Sequence, residues 1–131
     1  MASEAFGCEV CLPDDVEAAA ACWPKVPVTH ALIAESHFSV KLRRCERCAQ
    51  QFVSVFTEQI DWENGEDPQR SCAMPIDELD EARLRKAHAS GRLEEAVCAL
   101  APTRRSVSTD WPSGRPKRIA WTRGMTIGPH D

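Results

Sequence analysis

SHFSVKLRRCERCAQQFVSVFTEQIDWENGEDPQRSCAMP, residues 36–75, sets a Cys-x-x-Cys pair between two strand-like runs. Phe38, Val40 and Leu42 alternate with Ser39, Lys41 and Arg43, the pattern of a strand with one face buried. After Cys45 and Cys48, Gln51 to Thr57 is rich in the β-branched and aromatic residues that suit a pleated sheet. The two runs predict a hairpin whose turn is the cysteine pair itself.

A second pair, Cys8 and Cys11, lies upstream, and four thiolates grouped as two such pairs are a known way to hold one tetrahedral ion. Each short turn directs two sulfurs to one side while its backbone N–H groups donate to them. Zinc is the expected ion, in a closed four-cysteine site that leaves no position for a reacting water and is therefore structural. Iron in a four-thiolate site has the same ligand chemistry. The 33 residues between the pairs must loop out, at a closure cost that rises only with the logarithm of their number. Two other readings stay open: free thiols in turns, and a redox dithiol. The latter wants a helix N-terminus after the first Cys, and Cys45 has a strand on either side.

Working outward, 131 residues with 43% hydrophobic content predict one domain with a modest core, over residues 1–123, and a flexible tail over 124–131. Aromatics are few, so a metal staple would help such a core. The fold class expected is α+β: a zinc-ribbon-like hairpin, a small antiparallel sheet and two to three short helices. Asp14 or Asp15 caps the first helix and Pro24 closes it; Asp77 caps a second, which Gly91 ends or kinks. Leu93, Val97 and Leu100 form an apolar stripe that Pro102 stops. Thr29 to Ala34 reads as strand or helical turn, and the chain simply crosses from Cys72 to Pro75. Arg105–Trp111 and Lys117–Thr122 suggest a second hairpin.

No run approaches the length of a membrane span, and the first residues lack the basic and apolar regions of a signal peptide. A cytoplasmic location without membrane partners is expected, with the seven Cys as ligands and buried thiols. Cys22 and Cys72 are reserve ligands, and Cys98 beside the helical stripe is expected to be a buried small hydrophobe.

The run Cys45-Glu46-Arg47-Cys48-Ala49-Gln50-Gln51-Phe52 resembles the zinc-ribbon knuckle Cys-x-x-Cys-Gly-x-x-aromatic. With Phe56-Thr57-Glu58, Ile60-Asp61-Trp62 and Gly65-Glu66-Asp67-Pro68-Gln69, it resembles small uncharacterised bacterial proteins that carry that knuckle. The resemblance covers about residues 36–76 and implies metal binding by Cys45 and Cys48, with Cys8 and Cys11 as the other half, but no activity. Leu12 and Ala49 stand where glycine usually follows the second Cys.

Charge is uneven. Residues 1–100 carry 10 basic and 18 acidic side chains, a net of −8, and residues 101–131 carry 6 and 2, a net of +4. Glu58, Asp61, Glu66 and Asp67 around Trp62 form an acidic turn that is either a solvated loop or a docking surface for a protein partner. Arg104, Arg105, Arg115, Lys117, Arg118 and Arg123, interleaved with Trp111 and Trp121, suggest either a salt-bridging edge or a nucleic-acid surface. The acidic chain as a whole disfavours nonspecific phosphate binding. No Ser/His/Asp order, phosphate loop or H-E-x-x-H helix occurs. The function expected is a non-enzymatic zinc-binding module that meets a protein, with nucleic-acid binding as the alternative.

Overall fold

The structure, a computed structural model, describes residues 6–112 and 114–131. Six strands form one antiparallel sheet in sequence order: β1 (Val28–Ala34), β2 (Phe38–Arg44), β3 (Gln51–Glu58), β4 (Gln69–Ile76), β5 (Arg105–Trp111) and β6 (Arg118–Arg123). Three helices accompany it: α1 (Val16–Cys22), extended by a 3₁₀ turn at Trp23–Lys25, α2 (Glu78–Ala89) and α3 (Leu93–Ala99). The protein is α+β. None of the described helices is long and apolar enough to cross a membrane.

The expected hairpin is β2–β3, with Val40 opposite Val55 and Leu42 opposite Val53, and its turn carries Cys45 and Cys48. The second hairpin is β5–β6. Thr29 to Ala34 resolves as strand, pairing with β2 through two irregularities of register.

Residues 69–76, whose sequence suggests a crossing segment, are the fourth strand. The polar start Gln69-Arg70-Ser71 and Pro75 hide its alternation, but Cys72, Met74 and Ile76 all face the core. Pro75 is tolerated because pairing with β5 ends at Ala73. The ladder there needs no N–H from Pro75, and the Pro75 carbonyl accepts from Arg104 Nη1 at 3.0 Å.

Each face of the sheet has its own cover. On one face Val40, Leu42, Val53, Val55, Met74 and Ile76 pack against Leu84 of α2 and Leu93 and Val97 of α3. Each such fully buried aliphatic side chain contributes roughly 1.5–3 kcal/mol. On the other face, Ala73 and Val107 meet Ala19 of α1 and Trp23. The small Ala19 lets the helix backbone lie close to the strands.

The helix ends follow the sequence. Asp15 Oδ2 accepts from Ala18 N at 2.9 Å. Asp77 and Asp80 form a reciprocal capping box, in which Asp77 Oδ1 accepts from Asp80 N at 2.8 Å and Asp80 Oδ2 accepts from Asp77 N at 3.1 Å. Gly91, at φ 74°, ends α2 in the left-handed conformation that suits glycine. Cys98, expected to be buried, is exposed: Leu93 and Val97 occupy the inward face of the short α3, and Cys98 turns away from it.

Side chains of segment 124–131 reach the core: Met125 belongs to the cluster over β2 to β4, and Ile127 packs against it. Met125 is 2% exposed, and His130 stacks on Phe38 with ring centroids 4.1 Å apart. Asp131 N donates to Glu58 O at 3.1 Å, and Asp131 Oδ2 accepts from Ile60 N at 3.1 Å.

Met125→Ala is expected to destabilise the fold by about 2–4 kcal/mol, as for other buried Met truncations, measured by urea denaturation; a loss near zero would mean that the tail does not pack as described. Asp80 is the second test. Burial opposes its ionisation, but the hydrogen bond from Arg104 Nη1 at 2.6 Å and the N–H of Asp77 outweigh burial and hold its pKa below the usual range. A depressed folded pKa stabilises above the unfolded value of about 3.9 and is lost as pH falls through the folded one. Asp80→Asn should thus cost about 2–4 kcal/mol at neutral pH, since it leaves Arg104 without its charge partner. It should also flatten the stability loss below about pH 4.

Candidate metal centre

The sulfurs of Cys8, Cys11, Cys45 and Cys48 all lie within 4.8 Å of one another. Cys8 to Cys11 is 3.8 Å, Cys8 to Cys45 3.9 Å and Cys11 to Cys48 3.8 Å. Four thiolates about 2.3 Å from a central zinc, at tetrahedral angles, are separated by about 3.8 Å. The cluster therefore has the dimensions of a tetrahedral four-thiolate site.

Its first half is a turn ahead of α1. Gly7 adopts φ 74°, and a Cβ there would meet Leu12 Cβ at 2.8 Å and Cys11 Sγ at 3.1 Å. Leu12 N closes the turn on Cys8 O at 2.8 Å. The second half is the β2–β3 turn, where Ala49 N donates to Cys45 O and Cys45 N donates to Gln50 O, both at 2.9 Å. Ala49 holds φ 66°, in the left-handed region that favours glycine, although its side chain is a methyl. Phe52 packs with Cys11, Cys45 and Val26.

Gln50 joins the two halves, a role its place in the sequence does not reveal. Its Oε1 accepts from Gly7 N at 2.9 Å, and its Nε2 donates to the carbonyls of Gln51 and Ile76, each at 2.9 Å. An amide has both an acceptor and donors, which three backbone groups from separate segments require. Arg47 and Glu9 approach to 3.7 Å across the same junction, but both are well exposed and add little.

Electrostatics within the cluster are divided. The backbone N–H groups of Cys11 and Val10 bring the Cys8 thiol down to about 7. Burial pushes the Cys11 thiol up. Burial also pushes up Cys48, against an N–H from Gln50. A bound dication favours the thiolate form of all its ligands and removes this conflict. Neither reserve ligand joins the group. Cys72 lies in the main core, where burial pushes its thiol up to about 11, and Cys22 lies at the end of α1.

The acidic turn divides into inner and outer parts. Glu58 pairs with His37 at 3.0 Å and accepts from Gln69 at 2.7 Å. Asp61 Oδ1 accepts from Glu63 N and Asn64 N, and Asp67 Oδ1 accepts from Asp61 N at 2.8 Å. These three carboxylates shape the turn. Trp62 is 87% exposed at its tip, and Glu66 is also on the outside.

The six tail cations do not form one strip. Arg104 turns inward to Asp80. Arg105 and Arg123 stand opposite each other at one end of the hairpin, while Arg115, Lys117 and Arg118 lie towards its turn, with Lys117 Nζ 6.0 Å from the Trp111 ring centroid.

Two substitutions test the β2–β3 turn. Ala49→Gly should raise stability by roughly 0.5–1 kcal/mol, because the left-handed backbone costs an L-residue about 1–2 kcal/mol and glycine's added freedom when unfolded returns part of that. Gln50→Ala should weaken metal affinity by about 10–100-fold, the usual effect of losing a group that orients ligands, read by competition with a chromogenic chelator. Unchanged affinity would show that the two halves meet without it.

No protein-family model, curated protein or solved structure matches the chain. The functional reading therefore rests on the four-sulfur geometry.

Proposed function

We propose that Cys8, Cys11, Cys45 and Cys48 hold one structural Zn²⁺, and that the domain is a non-enzymatic module meeting a protein partner through the Trp62 turn. The observation that carries the metal half is the set of four sulfurs within 4.8 Å of one another. Three independent features support it. The spacing fits Zn–S bonds of about 2.3 Å. All four ligands are thiolates, so no position is left for a catalytic water. The buried ligands Cys11 and Cys45 pack against Phe52 and Val26. The sequence resemblance to a zinc-ribbon knuckle points the same way, and thiolate softness admits iron as the competing ion.

The partner half rests on Trp62. A large apolar ring held 87% exposed, on a turn stiffened by the Asp61 and Asp67 hydrogen bonds, has the character of an interface anchor, which loses little conformational entropy on docking. Its carboxylate neighbours suit a partner pocket with a basic rim.

Protein purified without added metal should contain close to one zinc per chain, read by X-ray absorption at the zinc and iron edges. Cys45→Ser should lower stability by more than about 3 kcal/mol, the range in which loss of a structural metal falls. Substoichiometric metal together with an unaffected Cys45→Ser variant would overturn the metal reading. For the partner, a photo-crosslinking residue at position 62 should give one dominant protein adduct in cells, whereas the same residue at the exposed Glu78 should not. Equal labelling from both positions would remove Trp62 as an anchor.

A further inference from the structure

Arg105 and Arg123 are directly opposed across β5 and β6. Like charges in that relation repel, and sheets ordinarily place opposite charges or neutral residues there. A third guanidinium, Arg104, joins them: all three line one cavity of about 350 Å³, walled by Phe6, Leu12 and Pro75. Three cations converge on this small concavity in a chain whose net charge is −4.

The protein answers these charges incompletely. Arg104 is paired with Asp80 and lies over the Phe6 ring, 4.6 Å from its centroid. Arg123 Nη1 donates to a carbonyl, Thr103 O, at 2.8 Å, which orients the group without neutralising it. Arg105 lies over Trp121 at 3.8 Å. Its nearest carboxylate among the described residues is Asp14 at 3.9 Å, a fully exposed side chain. Stacking and carbonyl bonds fix the planes of these guanidinium groups and leave N–H edges available, the arrangement by which arginine recognises a planar or tetrahedral oxyanion.

We propose that the Arg104, Arg105 and Arg123 cavity is a binding site for an oxyanion, the phosphoryl or carboxylate group of a small ligand. The volume suits one such group with a short attached body and not a polymer strand. Arg118, at the other end of β6, is roughly 17 Å away at the usual strand rise, so the site is local to one end of the hairpin. Nothing in it depends on which ion the four cysteines bind.

The test uses the metal-loaded 131-residue chain at low ionic strength, titrated with inorganic phosphate and separately with acetate, and followed by NMR of the arginine Nε–H signals. Saturable one-to-one binding that shifts Arg105 and Arg123 is expected for at least one probe. Saturation by phosphate but not acetate identifies a phosphoryl group; the reverse identifies a carboxylate. Arg105→Gln and Arg123→Gln should each weaken binding at least tenfold, Arg105→Lys should recover part of the loss, and Arg115→Gln or Arg118→Gln should change it less than twofold. The proposal is overturned if neither probe saturates, if Arg118→Gln costs as much as Arg123→Gln, or if only a single-stranded oligonucleotide binds. Should a variant fail to fold, the location of the shifts in the wild-type titration decides alone.

Discussion

Four sulfurs within 4.8 Å of one another make a demand that the rest of the chain must satisfy. As thiols in a partly buried cluster they bond weakly to one another, and as thiolates they repel. A dication at their centre converts repulsion into attraction, and few other groups could do so with four soft ligands. The two halves come from residues 8–11 and 45–48, so the ion would tie the start of the described chain to the turn between β2 and β3. The 33 intervening residues then have both ends held. α1 and the 3₁₀ turn lie across one sheet face, and β1 pairs alongside β2.

Such a tie would help a modest chain place cover on both faces of a six-stranded sheet. The face over Val53 and Met74 has two helices and the 124–131 segment as its cover. Among the described residues, the opposite face is covered by the cysteine turns over Phe52 and by the seven-residue α1 with Trp23, a helix too short to be stable by itself in water. Arg43 reinforces it by donating to the carbonyls of Pro24 and Val26 and to Ser54 Oγ. The Cys8–Cys11 turn directly precedes α1, so the weaker cover is the one beside the cysteines.

Much of this is legible in the sequence, for identifiable reasons. Period-two alternation over 38–42, the β-branched and aromatic run over 51–57, the caps at Asp15 and Asp77, and the breakers Pro24 and Gly91 are local signals, and local geometry obeys them. The cysteine grouping is legible because ligand spacing within each turn is local as well. What escapes is non-local. β4 is hidden because Pro75 is acceptable only where β5 has stopped pairing, a fact of register. Cys98 departs from its expected burial because a seven-residue helix buries a narrow face. The tail looks free in sequence because Met125 and His130 find partners only once the sheet ends exist. Gln50 carries no signal, since its three backbone partners belong to residues 7, 51 and 76.

The cysteine cluster and the arginine cavity share a wall. Phe6 and Leu12 flank the first cysteine pair, and both line the cavity that holds Arg104, Arg105 and Arg123. Leu12 is held in place by its N–H to Cys8 O, within the same turn that presents Cys8 and Cys11. An ion that orders this turn therefore also orders part of the cavity wall, and the conformational entropy needed to shape the cavity is already lost when the ion binds. Under the reciprocity of binding free energies, an anion held by the arginines would stabilise the metal-bound turn by the same factor that the metal improves anion affinity. The opposed arginines are then understandable as a local repulsion kept at one end of the sheet, beside the turn that a bound ion would make rigid enough to bear it.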